Sequence, residues 1–298
     1  MAADRYIDLH IHSNNSDGTF TPKQLVNIAE KNDVGILSIT DHDSISGLEE
    51  FKCSIPYDVI GVKGIEFSSF IMDNNEKIKL HILGYGFDED NYLFQLLVNE
   101  MREKRKVKHL ELLKKLREKI KKLPEENIQK LNIDRYCWFD REVINCLEQA
   151  EYSKEIIDEL RNYYKINRFS YGSEYDLDVK RVIEAIHLAG GYVVFAHPMA
   201  YKFSNDKDMV LRIINNLIYM GIDGVEIYQS DCLCDDSIWL NRIVSDNNLL
   251  YSVGSDFHRT INSDGRQMGL GINNNLCITQ TSLTNEIIKS KKYFRKVK

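Results

Sequence analysis

Six segments of the chain carry imidazoles and carboxylates in patterns suited to holding divalent cations. His10-Ile11-His12 sets two histidines two residues apart. On a strand, a period of two turns both rings to one face, which makes a ready bidentate site. Asp17 follows in the loop Ser13-Asn14-Asn15-Ser16-Asp17-Gly18. The others are His42 in Thr40-Asp41-His42-Asp43, Glu66 in Gly64-Ile65-Glu66-Phe67, His81, His197 in Ala196-His197-Pro198, and Asp256 with His258 in Gly254-Ser255-Asp256-Phe257-His258. Nitrogen and oxygen donors without sulfur suit Mn²⁺, Zn²⁺ or Fe²⁺ and argue against a structural zinc site. Nine such groups exceed what one ion can use. They fit two or three ions that activate water and bind phosphoryl oxygens. Taken singly, any of these histidines could be a hydrogen-bonded core residue; the argument rests on their number and placement. His109 and His187 fall on helical segments and read as structural.

The elements that must position these groups alternate along the first part of the chain. Tyr6 to His12 reads as a strand, and Thr21-Pro22 is an N-cap followed by proline at the first helical position. Gly35 to Thr40, Val59 to Phe67 and Lys77 to Gly84 read as further strands, with a helix from Ser44 to about Cys53. Strands alternating with helices predict a parallel sheet or barrel, and nearly all the candidate ligands fall at the C-terminal ends of its strands, where such folds place their sites. The pattern changes after Asp90. Asn91 to Leu123 reads as one long helix ended by Pro124, and the stretch to about Tyr175 as irregular helices anchored by Cys137-Trp138-Phe139. Alternation resumes with helices over Val179 to Ala189, Lys207 to Met220 and Asp235 to Asn247, and strands over Tyr192 to Ala196, Asp223 to Tyr228 and Leu249 to Gly254; a basic helix is expected from Thr284 to the end. The expected organisation is a barrel formed by 1–94 and 176–298, with an inserted helical subdomain over 95–175.

At 298 residues the chain can bury a large core. No apolar run approaches the roughly 18 residues that span a bilayer, and Met1 to Arg5 leads straight into a strand, so a cytoplasmic location and no membrane partner are expected. Six cysteines, with only Cys232 and Cys234 close together, fit reduced thiols in that compartment. A net charge of −6 argues against a stable nucleic-acid complex. One region is strongly basic, from Arg102 to Lys122. It reads as a solvated helix face, with guidance of a polyanion as the alternative.

The order H-x-H, S-D-G, T-D-H-D, G-x-E, H, A-H-P, G-S-D-F-H resembles the polymerase and histidinol phosphatase (PHP) superfamily over Tyr6 to Gly86 and Val179 to about Gly271. The resemblance implies an α/β fold, a distorted (β/α)7 barrel, around a trinuclear metal centre. It assigns His10, His12, Glu66 and Asp256 to one ion, Glu66 as a bridge with His81 and His197 to a second, and Asp17, His42 and His258 to a third. Asp41 and Asp43 would either orient imidazoles from behind or cap the following helix.

It further implies a metal-dependent phosphoesterase. The expected mechanism uses metal-activated hydroxide, with Asp17, His258 or a metal-bound water beside them as candidates for handing a proton to the leaving oxygen. The phrases S-D-G-T-F-T-P and I-T-D-H-D-S-I-S-G and the helical insertion are most similar to nucleoside 3′,5′-bisphosphate phosphatases, whose relatives trim short 5′-phosphorylated RNA. The expected substrate is therefore a small phosphoester or a short oligonucleotide. One departure stands out: where relatives carry a Gly-Arg-Pro-His-like phrase, this chain has Phe139-Asp140-Arg141-Glu142-Val143-Ile144, which keeps the arginine but not the histidine. Arg141, Arg259 and Arg266 are candidate phosphate contacts, because guanidinium pairs bidentately with phosphate. Histidinol-phosphate phosphatase, and a non-catalytic metal-binding accessory domain, are the alternatives.

Overall fold

The computed structural model describes residues 5–119, 154, 158, 175–259 and 265–296. Side chains are described as far as residue 107 in the long helix that begins at Tyr92. Seven strands form the framework: β1 (Tyr6–Ile11), β2 (Val34–Ile39), β3 (Ile60–Asp73), β4 (Glu76–Tyr85), β6 (Tyr192–Phe195), β7 (Gly224–Gln229) and β8 (Leu250–Gly254). They pair in the order β1-β2-β3-β4-β6-β7-β8, and the short β5 (Leu177–Asp178) adds to β3. β1/β2, β2/β3, β6/β7 and β7/β8 are parallel. The last strand curls back to the first. The Asp256 amide donates to the His10 carbonyl at 2.8 Å, and the His12 amide to the Phe257 carbonyl at 2.9 Å. These bonds join the β1–β8 seam at its ligand-bearing end, giving the distorted barrel.

Local chemistry explains the helices. Helix α1 (Pro22–Lys31) opens with a capping box. Thr21 Oγ1 accepts from the Gln24 amide at 3.3 Å, Gln24 Oε1 accepts from the Thr21 amide at 2.9 Å, and Pro22 sits where no N–H is needed. Its buried face is Leu25, Val26 and Ala29. Helix α2 is Leu48–Ser54, α3 is Tyr92–Lys119 and α4 is Val179–Leu188. Helix α5 (Lys207–Met220) is capped by Asp206 and stops at Gly221, whose φ of 98° only glycine adopts without strain. Helix α6 (Cys234–Asp246) and α7 (Ser282–Lys289) complete the outer layer. Leu37, Phe67, Ile82, Val225 and their helix-borne neighbours form the main core. No helix among the described residues is long and apolar enough to cross a membrane.

Three sequence-based expectations change. Helix α2 starts at Leu48 rather than Ser44, because Asp43 holds a positive φ of 51° and its carboxylate is used elsewhere. The C-terminal segment is not helical to its end: α7 stops at Lys289, and Phe294 pairs antiparallel with Gly61. Finally, the sheet is not parallel throughout. β3 continues to Asp73 and turns at Asn74-Asn75, both with positive φ, into the antiparallel β4. Such a two-residue turn favours asparagine because its backbone twist matches that of the strands.

Glu89, just past β4, accepts from Lys52 on α2 and from Lys63 on β3 and ties the three elements together. Partial burial would raise its pKa, but the two ammonium groups win and hold it down to about 2. A depressed carboxylate pKa adds stability that is present above the unfolded value near 4.5 and is lost as pH falls toward 2. The carboxylate is part-exposed, so screening limits its contribution to on the order of 1 kcal/mol. Glu89→Gln is expected to cost about that at neutral pH, and the gap from the parent should narrow below the unfolded pKa and close as pH falls to about 2 in urea titrations. An equal gap at both pH values would refute this role.

Candidate metal centre

The nine residues singled out for metal chemistry meet at one end of the barrel. His10 lies on β1 and His12 just past it, His42 follows β2, and Glu66 lies on β3 opposite the β4 residue Leu83. The parallel pairing of β3 with β2 ends at Lys63, so Glu66 sits just above the rim of the parallel sheet. His81 lies within the strand read over Lys77 to Gly84. It is mid-strand on antiparallel β4, paired with Ser68, and is carried to the site because the hairpin overshoots the barrel. His197 follows β6, while Asp256 and His258 follow β8. His197 and Asp256 hold positive φ values of 30° and 55°, a conformation that costs non-glycine residues energy and persists only where surroundings enforce it.

Glu66 is the hub. Its Oε2 lies 3.3 Å from His10 Nε2, 3.2 Å from His12 Nε2 and 3.1 Å from His42 Nδ1. Its Oε1 lies 3.0 Å from His81 Nδ1 and 2.9 Å from His197 Nε2, and those two nitrogens are 3.3 Å apart. One fully buried carboxylate thus touches five imidazoles. Asp256 Oδ1 lies 3.2 Å from His12 Nε2 and 3.6 Å from His10 Nε2. On the far side, His258 Nε2 is 2.8 Å from Asp17 Oδ2, and His12 Nδ1 is 3.4 Å from Asp17 Oδ1.

These contacts form four overlapping groups of potential ligands: His12, Asp17, His42 and His258; His10, Glu66 and His197; His10, His12 and Asp256; and His42, Glu66 and His81. A tetrahedral shell with bonds of about 2.1 Å sets neighbouring donors about 3.4 Å apart, close to the spacings seen here. His10 Nε2, His12 Nε2 and Glu66 Oε2 are buried yet make no hydrogen bond. Buried polar atoms are rarely left so, and lone pairs converging on one point are what a cation satisfies. The residues present therefore fit divalent metal ions.

The electrostatics agree. Burial alone would raise the carboxyl pKa values, but the surrounding imidazoles hold Glu66, Asp17 and Asp256 well below the usual carboxylate range. Burial pushes the imidazoles down, yet Glu226 and Glu66 raise His10 well above its ordinary value, and Asp17, Asp256 and Glu66 raise His12 to about 10. For His42 burial prevails and its pKa falls. Without metal, protons on the imidazoles balance the carboxylate charge; a bound cation replaces them.

A second layer of polar groups holds the first, and several of its members have no motif in the sequence. Buried Asp8 accepts from the Ser255 amide at 2.9 Å, Ser255 Oγ at 2.6 Å and the Gly269 amide at 2.7 Å, which fixes the turn before Asp256. Glu226 contacts His10 and the His197 backbone. Tyr201 accepts from the His81 amide at 2.7 Å. Asp41 does not cap α2, nor does it reach an imidazole. It accepts from the Ser13 amide and hydroxyl and from Ser16 Oγ, shaping the loop that presents Asp17. Asp43 does not cap α2 either. It accepts from the Ser68 amide at 2.7 Å and pairs with Arg105 of α3.

The expected arginine contacts are placed as follows. Arg266, read as a phosphate clamp, donates to Asp256 Oδ2 at 2.7 Å and pairs with Asp231, so its guanidinium serves a ligand carboxylate. Arg259 is exposed beside His258. Arg141, the Cys137-Trp138-Phe139 anchor and Lys121–Lys122 lie outside the described residues. In the described part of the basic helix, Arg105 is committed to Asp43 and Lys104 to Glu100. His187 pairs with Asp223 at 2.9 Å, away from the site.

The Arg105–Asp43 pair ties the middle of the long helix to the loop that carries His42. Removing one partner of a buried ion pair strands the other charge, at a cost of about 3 kcal/mol at the low end of such losses. Arg105→Met is expected to lower stability by about that amount in urea unfolding, and Arg105→Lys by less. A loss within about 0.5 kcal/mol of zero would show the pair to be solvated.

The PHP domain family matches residues 8–171 of the chain. A 5′-3′ exoribonuclease of Haemophilus influenzae is 28% identical over 84% of this chain and 89% of its own length. A phosphoribosyl 1,2-cyclic phosphate 1,2-diphosphodiesterase of Eggerthella lenta is 27% identical over 84% and 93%. A 3′,5′-nucleoside bisphosphate phosphatase of Chromobacterium violaceum is 25% identical over 88% and 90%. Among solved structures, an amidohydrolase from Chromobacterium violaceum with bound sulfate superposes with a TM-score of 0.73 at 21% identity, covering 97% of this chain and 98% of that one.

Proposed function

The chain belongs to the PHP domain family, and from that premise we propose that it is a metal-dependent phosphoesterase acting on nucleotides, with nucleoside 3′,5′-bisphosphates or short 5′-phosphorylated RNA as substrates. The observation that carries the reading is Glu66, one buried carboxylate within 3.3 Å of imidazoles from five places in the chain. A carboxylate whose two oxygens face two separate sets of nitrogens is built to bridge. His10, His12 and Asp256 would hold one divalent ion on the Oε2 side, and His81 and His197 another on the Oε1 side. Asp17, His42 and His258 would hold a third. Mn²⁺, Zn²⁺ and Fe²⁺ all suit this donor set.

The ions, when bound, supply Lewis acidity toward phosphoryl oxygens and make hydroxide available near neutral pH. The chain's own residues do the rest. The paired strands hold the donors rigidly, so little reorganisation is needed when charge develops on phosphorus. Asp17 Oδ2 and His258 Nε2 lie 2.8 Å apart at a part-exposed edge of the site, His258 being 21% exposed. Where that third position is left without an ion, this pair is placed to hand a proton to the departing alkoxide. The barrel is formed by 1–94 and 176–298, with 95–175 as an insertion. In support, β5 joins β3 directly after the proposed insertion, and β6 then pairs with β4 through Ile82 and Phe195, so the sheet continues across it.

The test is a comparison of substrates on manganese-loaded protein: adenosine 3′,5′-bisphosphate, a short RNA with a 5′-phosphate, the same RNA with a 5′-hydroxyl, and histidinol phosphate. Turnover of either of the first two well above the others supports the proposal. Preference for histidinol phosphate would shift the substrate class, and no turnover of any phosphoester would favour a non-catalytic accessory role.

A further inference from the structure

Glu226 is fully buried in the middle of β7, among the apolar residues Val225 and Ile227. An ionised carboxylate in such a place is costly unless its oxygens are matched by donors. Both are matched, and both by metal-site residues. Oε1 lies 3.0 Å from His10 Nδ1, and Oε2 accepts from the His197 amide at 2.8 Å. The barrel makes room for this arrangement. A Cβ at Gly254 would come within 2.1 Å of His10 Cβ and 2.6 Å of Glu226 Oε1, so the neighbouring strand has to be bare at that point.

We propose that Glu226 is a positioning residue for the metal centre, which fixes the tautomer of His10 and the backbone turn that presents His197. The proposal rests on the metal-site reading given above. With Nδ1–H committed to Glu226, the lone pair of His10 is left on Nε2, the atom facing Glu66 Oε2 at 3.3 Å and Asp256 Oδ1 at 3.6 Å. The same carboxylate holds the amide of His197, a residue at a positive φ that needs an outside constraint. His10 and His197 fall to different ions in the proposed assignment, so one buried acid sets the geometry of two sites at once.

No neutral replacement reproduces this. Glutamine has one acceptor oxygen, while both partners are donors. Serving His10 turns the amide NH₂ toward the His197 N–H, and serving His197 turns it toward His10 Nδ1–H. Either choice releases one ligand or flips the imidazole, which places a proton on the metal-facing nitrogen.

The probe is Zn²⁺ alone. Parent and Glu226→Gln are titrated against a competing chelator, with bound zinc counted by elemental analysis and folding followed by circular dichroism. The expected result is a folded variant that binds zinc about 10–100-fold more weakly than the parent. A second measurement needs no variant: ¹⁵N-histidine spectra of the zinc-loaded parent should show the His10 proton on Nδ1. A folded Glu226→Gln with the parent's affinity, or a His10 ring protonated on Nε2, would overturn the role of Glu226 while leaving the metal centre standing. A parent that takes up no zinc would remove the centre itself.

Discussion

Glu66→Gln is expected to reduce phosphoester turnover by about 10³-fold, the rate equivalent of losing several kcal/mol of metal-borne charge stabilisation. The carboxylate faces His10, His12 and His42 with one oxygen and His81 and His197 with the other. A glutamine presents one acceptor and one donor, so one of the two sets of imidazoles loses its bridging oxygen. The fold should persist, because the β3–β4 ladder around Glu66 is made of backbone bonds that the substitution leaves intact. Steady-state kinetics with excess manganese, alongside a thermal melt, distinguishes the two effects. Turnover within tenfold of the parent in a folded variant would mean that Glu66 does not bridge the reacting ions.

The second large effect is on stability. Removing divalent metal with a chelator is expected to lower stability by about 4 kcal/mol relative to protein held at about 1,000 times the metal's Kd. At roughly 2–4 °C per kcal/mol for chains near this size, the melting temperature should fall by ~10 °C. The chain should nevertheless stay folded. The site carboxylates keep imidazolium partners when metal leaves, and the hydrophobic core is separate from the ligand cluster. Melts in manganese and in chelator check this directly. Coincident melts would show that metal binds no more tightly to the folded chain than to the unfolded one.

Both effects have one physical source. The candidate donors come from distant parts of the chain and are supported by buried or part-buried polar contacts: Asp8 at the Ser255 turn, Asp41 at the Ser13–Ser16 loop, Arg266 on Asp256 and Arg105 on Asp43. Each oxygen given to a supporting donor is withdrawn from the metals. Asp256 shows this most clearly: Arg266 occupies Oδ2, which leaves Oδ1 facing His10 and His12. A site held this way is preorganised, and its residues need not move as charge develops on the substrate.

The amino-acid sequence by itself singled out the candidate metal-holding residues. Histidines and acids at His10, His12, Asp17, His42, Glu66, His81, His197, Asp256 and His258 stand out because such residue types do not otherwise cluster beside apolar strand segments. The alternation of strands and helices, the N-cap at Thr21 with Pro22 after it and the glycine stop at Gly221 were equally legible, since each depends on a few adjacent residues. What only the tertiary structure decided is pairing over distance. That β4 runs antiparallel and brings His81 in mid-strand depends on β3 overshooting its parallel partner, which a single segment's pattern does not encode. That Arg266 serves Asp256, that Arg105 reaches Asp43, and that Glu226 stands behind His10 are facts about neighbours 10, 62 and 216 positions apart. A lone acid in the apolar run Val225-Glu226-Ile227 is a trace of this layer in the sequence, as are Asp41 and Asp43 beside His42. Its meaning rests on which donors the folded barrel brings against it, because the cost of burying a charge is set by its partners and not by its place in the chain.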